Sequence, residues 1–75
     1  MQNAAASEQI AVLLNGEQRR IPAGQNIVEL LAWLELPADR VAVELNRTLI
    51  RKRDWDQTRV DADASIEIVE FVGGG

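Results

Sequence analysis

Cysteine and histidine are both missing from this chain of 75 residues. Without cysteine there is no disulfide, no thiol nucleophile and no thiolate metal ligand, and a cytoplasmic setting fits. Without histidine the usual general base near neutral pH and the commonest metal ligand are gone, so catalysis or transition-metal binding by this chain alone has little to work with. Positive charge is also scarce. Eight Lys and Arg against twelve Asp and Glu leave a net charge of −4, the wrong sign for gripping a nucleic-acid backbone. The one basic run, Arg51, Lys52 and Arg53, reads as a solvated loop or as a contact for an acidic partner. Long apolar runs are lacking too: no stretch approaches the roughly 18 apolar residues of a membrane span. The opening MQNAAASEQ has neither the basic nor the apolar region of an export signal. These absences predict a chain that is not an enzyme, binds no metal or cofactor of its own, and has no nucleic-acid or membrane partner.

What is present suffices for one small domain. Apolar residues make up 47% of the sequence, which argues against disorder, although a chain of this size buries only about 60% of its unfolded surface. Residues 1–8 are expected to be a disordered leader, 9–72 the folded domain, and 73–75 a flexible glycine tail.

From Gln9, Ile10, Val12 and Leu14 alternate with Ala11 and Leu13 before Asn15-Gly16, a pair that tolerates the positive φ of a type I′ hairpin turn. A more polar return strand, Glu17 to Ile21, belongs nearer the sheet edge, and Pro22 is expected to stop it. The segment QNIVELLAWLEL predicts the only helix, with Asn26 as N-cap and Glu29 reaching back to it. Ile27, Leu30, Leu31 and Leu34 form one stripe for packing on a sheet, Pro37 is expected to end the helix, and Trp33 sits at the flank as a boundary residue or a partner contact. The apolar positions of hairpin and helix are expected to point inward and serve stability alone.

Val41, Val43 and Leu45 alternate as a third strand, Thr48 to Ile50 read as a short fourth, and Asp54 is a candidate cap for a helical turn holding Trp55. Val60 anchors the next loop, and Asp61 to Ser65 suggest a turn. SIEIVEFV is the last strand, with Ile66 and Ile68 on one face and Glu67 on the other. Hairpin, helix, strand, short strand, strand is an α+β order. If the apolar first and last strands pair in parallel at the centre, the result is a mixed sheet of four to five strands on one helix, the ubiquitin-like β-grasp.

The sequence closes on Phe71-Val72-Gly73-Gly74-Gly75. Three extended glycines span roughly 10 Å and, lacking Cβ atoms, pass through a narrow slot. A carboxylate carried at their end is an anion at neutral pH and a poor electrophile, with an α-carboxyl pKa of about 3.3–3.7. It needs activation, and with no phosphate-binding GxxxxGK loop here another protein must supply it. Phe71 and Val72, apolar and beside the tail, are candidate docking residues; packing of Phe71 in the core is the alternative.

The block IEIVEFVGGG, with QIAVLLNG, NIVELL and VAVELN before it, resembles the ThiS family of sulfur carriers in thiamine biosynthesis. The resemblance runs from about Gln9 to Gly75 and is most specific at FVGGG. It implies a β-grasp domain whose terminal carboxylate is adenylated by a ThiF-like adenylyltransferase that uses ATP. The adenylate is then converted to a thiocarboxylate, with sulfur from a cysteine desulfurase or another donor, and thiazole synthase takes the sulfur. Carried onto this chain, Gly75 bears the reacting carboxylate, and Gly73 and Gly74 enter the partner's active site with it. Other readings are a molybdopterin-synthase-type small subunit, whose tail usually carries prolines that FVGGG lacks, a ubiquitin-like protein modifier, and a β-grasp interaction module with an incidental tail.

Overall fold

A computed structural model describes residues 8–72. The expected glycine tail, Gly73 to Gly75, and all of the expected leader except Glu8 lie outside the described residues. Glu8 is exposed, and its carbonyl accepts from the Ala23 amide at 3.1 Å.

Asn15 and Gly16 hold φ of 51° and 82° and turn β1 (Gln9–Leu14) into β2 (Glu17–Pro22). Asn is among the few side chains that tolerate this left-handed region, and glycine has no Cβ to hinder it. Pro22 is the last residue of β2, opposite Gln9, a place a residue without an amide proton can occupy at a strand terminus. The helix α1 (Ile27–Trp33) starts as the sequence predicts: Asn26 Oδ1 accepts from the Glu29 amide at 2.8 Å, and Glu29 Oε1 accepts from the Asn26 amide at 2.9 Å. This reciprocal pair satisfies two amides that the first turn leaves without partners.

The end of the helix differs from expectation. It closes before Pro37, because Glu35 takes a φ of 61° after the cap residue Leu34. The Glu35 amide donates to the Ala32 carbonyl at 3.0 Å and the Leu36 amide to the Leu31 carbonyl at 3.0 Å. These are the two bonds of a Schellman motif, with Glu in the place usually given to glycine. Leu36 thereby folds back onto the core.

Three strands follow: β3 (Val41–Leu45), β4 (Thr48–Ile50) and β5 (Ser65–Glu70). The sheet order is β2-β1-β5-β3-β4, with β1 and β5 parallel and the other pairs antiparallel. One mixed five-stranded sheet covered on one face by α1 is the β-grasp arrangement. The buried core is Val12, Leu14 and Ile21 from the hairpin, Ile27, Leu30 and Leu31 from α1, and Val41, Val43 and Ile66 from the sheet. Trp55, Val60 and Ala64 complete it from the long β4–β5 connection. The Trp55 indole nitrogen donates to the Ile50 carbonyl at 2.9 Å, which satisfies its one polar atom inside the core. Val60 is held by its amide to the Gln25 carbonyl at 2.9 Å.

Two further expectations are corrected. Asp54 does not cap the turn around Trp55: a 3-10 helix runs Lys52–Gln57, Arg51 stands at its N-cap without a side-chain bond, and Asp54 lies inside it. The Asp54 carbonyl instead takes the Thr58 hydroxyl at 2.7 Å. Nor do all apolar positions of hairpin and helix point inward, since Leu13, Val28 and Trp33 are exposed. Leu13 is on the outer phase of β1, and Val28 and Trp33 lie off the buried stripe of a helix only two turns long.

Candidate functional site

The site is the end of β5 and the residues that leave it. β5 lies between β1 and β3, and its pairing with β3 runs from Leu45↔Ile66 to Val41↔Glu70. Beyond the strand, the Phe71 amide donates to the Arg40 carbonyl at 2.7 Å. The backbone is therefore tied to the body of the domain as far as Phe71, one residue before the last described one.

On the other side of β5, backbone pairing with β1 stops at Leu14↔Ile66. The Asn15 amide donates to the Ile66 carbonyl at 2.8 Å, and the Asn15 side chain then engages both the amide and the carbonyl of Ile68. At the opposite end of the strand, Asn46 Oδ1 accepts from the Ser65 amide at 2.9 Å while the Asn46 amide donates to the Ser65 carbonyl at 2.7 Å. Two asparagines from two hairpin turns thus hold β5 near its start and near its exit. Sequence reasoning identified Asn15 as a turn residue and missed this second role. The signal was available only in part, as Asn-Gly and Asn-Arg turns at the ends of two strands flanking a third.

Phe71 is 57% and Val72 92% exposed. Packing of Phe71 in the core is thereby excluded, and both side chains stand free beside the start of the glycine segment. A shallow cavity of about 340 Å³ opens on the inner side of the same exit, lined by Leu14, Leu34, Leu36 and Ile68 with Arg19 and Glu70. Among the described residues no group of three or more His, Cys, Asp or Glu stands where it could hold a metal ion, and no helix is long and apolar enough to cross a membrane. The basic run Arg51, Lys52 and Arg53 is exposed, where the β4 end passes into the 3-10 helix.

The geometry offers a hydrogen-bonded strand that ends at two exposed apolar side chains. Comparisons with known proteins bear on that arrangement. The sequence pattern of the ThiS family matches residues 12–75. A thiazole synthase of Paramagnetospirillum magneticum is 36% identical over 64 residues, which is 85% of this chain and 20% of that protein. The chain thus spans about a fifth of that relative's length. The ycf40 protein of Porphyra purpurea is 30% identical over 69 residues, covering 92% of this chain and 97% of its own. Among solved structures, the thiamine biosynthesis protein (ThiS) of Geobacter metallireducens superposes with a TM-score of 0.76 at 30% identity, covering 88% of this chain and all of its own.

Proposed function

The chain belongs to the ThiS family, and from that membership we propose that it is a sulfur carrier whose reacting group is the carboxylate of Gly75. In this reading a ThiF-like adenylyltransferase binds ATP, and a carboxylate oxygen of Gly75 attacks its α-phosphorus with loss of pyrophosphate. The acyl adenylate is a good electrophile where the carboxylate was not. Sulfide from a donor displaces AMP to leave the thiocarboxylate directly. A persulfide from a cysteine desulfurase displaces AMP to give an acyl disulfide, and a thiol of the sulfur-transfer system then attacks the outer sulfur, forming a disulfide and releasing the thiocarboxylate. Thiazole synthase consumes it for the thiazole of thiamine. The carrier contributes no catalytic group. Its part is to present the tail.

The observation that carries the reading is the exit of β5. Phe71 and Val72 stand free at the edge of a backbone held by Arg40 and Asn15, directly before Gly73, Gly74 and Gly75. Holding the exit matters energetically, because ordering each glycine in a channel costs about 1–2 kcal/mol of backbone entropy. Three glycines bring few contacts to offset that cost, so docking of the domain must supply it. The thiazole synthase relative, one fifth of which matches this chain, supports a partner of that kind.

Two measurements test the reading. Intact mass of the protein isolated from its own cells should show one oxygen replaced by sulfur at Gly75; lysine-linked conjugates would favour the modifier reading instead. ATP–pyrophosphate exchange with the ThiF-like enzyme should occur with the intact protein, vanish when Gly75 is removed, and be much weaker with a peptide ending EFVGGG. Undiminished exchange without Gly75 would overturn the assignment.

A further inference from the structure

The sheet face turned away from α1 carries an arrangement that neither the core nor the tail explains. Side chains of β5 alternate, so with Ile66 and Ile68 packed on the core, Glu67 and Val69 point outward, and Phe71 continues that row beyond the strand. The register of β3 on β5 sets Glu44 directly across from Glu67, and that of β4 on β3 sets Leu49 across from Glu44. Both glutamates are exposed. Two carboxylates facing each other across an antiparallel pair have Cβ atoms about 4.5–5.5 Å apart, a spacing at which like charges repel. The rung itself supplies Leu49 and no cation. The nearest basic residues in sequence, Arg47 and Arg51, belong to the β3–β4 turn and to the segment after β4.

Around this pair the surface is apolar. Leu49 is 63% and Val69 57% exposed, and Leu13 on the neighbouring β1 is exposed as well. Large aliphatic side chains ringing a small charged centre have the anatomy of a docking surface, whose charged centre is desolvated when the ring closes against a partner.

We propose that the enzyme that activates the tail docks on this face, and that it places an arginine or lysine side chain between Glu44 and Glu67. The proposal rests on the sulfur-carrier reading above and adds where the domain is held and by what chemistry. A cation at this rung converts a repulsion of the free chain into two charge-assisted contacts. Arginine suits the place better than lysine, since its planar guanidinium spans two carboxylates and its apolar stem lies along Leu49 and Val69. A second copy of this chain is a poor occupant, because face-to-face pairing would bring four carboxylates together. Nucleic acid is a poor one for the same electrostatic reason. Glu67, Val69 and Phe71 form one exposed row, so the face runs from the glutamate pair to the residues at the exit of β5.

The test is the carrier's KM and kcat in ATP–pyrophosphate exchange with the ThiF-like adenylyltransferase of the same organism, measured over rising KCl. Substituting both Glu44→Gln and Glu67→Gln should raise KM about tenfold with kcat little changed, and should flatten the salt dependence seen with the wild type. The same double variant should melt at or above the wild-type temperature, because the repulsion is gone, which keeps misfolding from imitating the effect. A control pair, Glu8→Gln with Glu17→Gln, makes the same change in net charge away from this face and should leave KM unaltered. Equal KM and equal salt dependence for wild type and the Glu44/Glu67 variant would overturn the proposal, and so would an equal rise in the control. Exchange that fails with the wild type itself would instead overturn the sulfur-carrier reading, and the docking proposal with it.

Discussion

Asn15 and Ile68, 53 residues apart, are joined by two hydrogen bonds: Asn15 Oδ1 accepts from the Ile68 amide at 2.8 Å, and Asn15 Nδ2 donates to the Ile68 carbonyl at 3.3 Å. A primary amide has the same donor and acceptor as a peptide unit, so the side chain adds one more rung to the parallel ladder after the β1 backbone has turned away. The hairpin turn and the strand that leads to Phe71 are held by one residue.

Asn15→Gly keeps the positive φ of the turn and removes the rung. It should cost about 1–2 kcal/mol in urea unfolding and speed hydrogen exchange of the Ile68 amide. Asn15→Asp keeps the acceptor and loses the donor, so its cost should be smaller. Wild-type stability in Asn15→Gly would mean that the rung contributes nothing.

Leu30 and Trp33 lie on the same short helix and should respond differently. Leu30 is fully buried, and Leu30→Ala should cost about 2–5 kcal/mol, the lost transfer energy plus the cavity left behind. Trp33 is exposed, and Trp33→Ala should cost about 1 kcal/mol or less by the same denaturation measurement. Equal losses would show that the buried stripe of the helix is misassigned.

Glu35→Gly should stabilise the protein. Glu35 holds a φ of 61° to complete the end of α1, a conformation that costs an L-residue about 1 kcal/mol and glycine almost nothing. Thermal unfolding should show a higher midpoint for Glu35→Gly and no comparable gain for Glu35→Ala.

Phe71→Ala and Val72→Ala should leave unfolding free energy within about 0.5 kcal/mol of wild type, since neither side chain packs on the core. On the sulfur-carrier reading, each should raise the carrier's KM in pyrophosphate exchange, with the larger effect from the aromatic residue. A large loss of stability with unchanged KM would make these residues structural.

The elements were legible because their signals are local. Alternation in QIAVLL, VAVEL and SIEIV, the Asn-Gly pair, and the Asn26 to Glu29 capping box each report on a few neighbouring residues, and the structure has all of them where the sequence predicts. The central place of the first and last strands was legible from their apolar character. The end of the helix was not, because proline announces where a helix cannot continue, whereas Glu35 in a left-handed conformation depends on Leu36 finding the core. The cap of the Trp55 turn was misread for a related reason: burial of the indole and its bond to Ile50 set that turn, and the carboxylate before it does not.

Of the candidate site, the sequence by itself determined the composition: it has neither cysteine nor histidine, and Phe71 and Val72 stand directly before three glycines. Tertiary structure alone decided how the exit of β5 is held and what surrounds it. Phe71 meets Arg40, Asn15 meets Ile68, and Glu44 meets Glu67 across sequence separations that no local pattern spans. Such encounters are fixed by strand register, and register follows from the whole hydrophobic face seeking burial at once, because a slip of one residue would turn every core side chain to water.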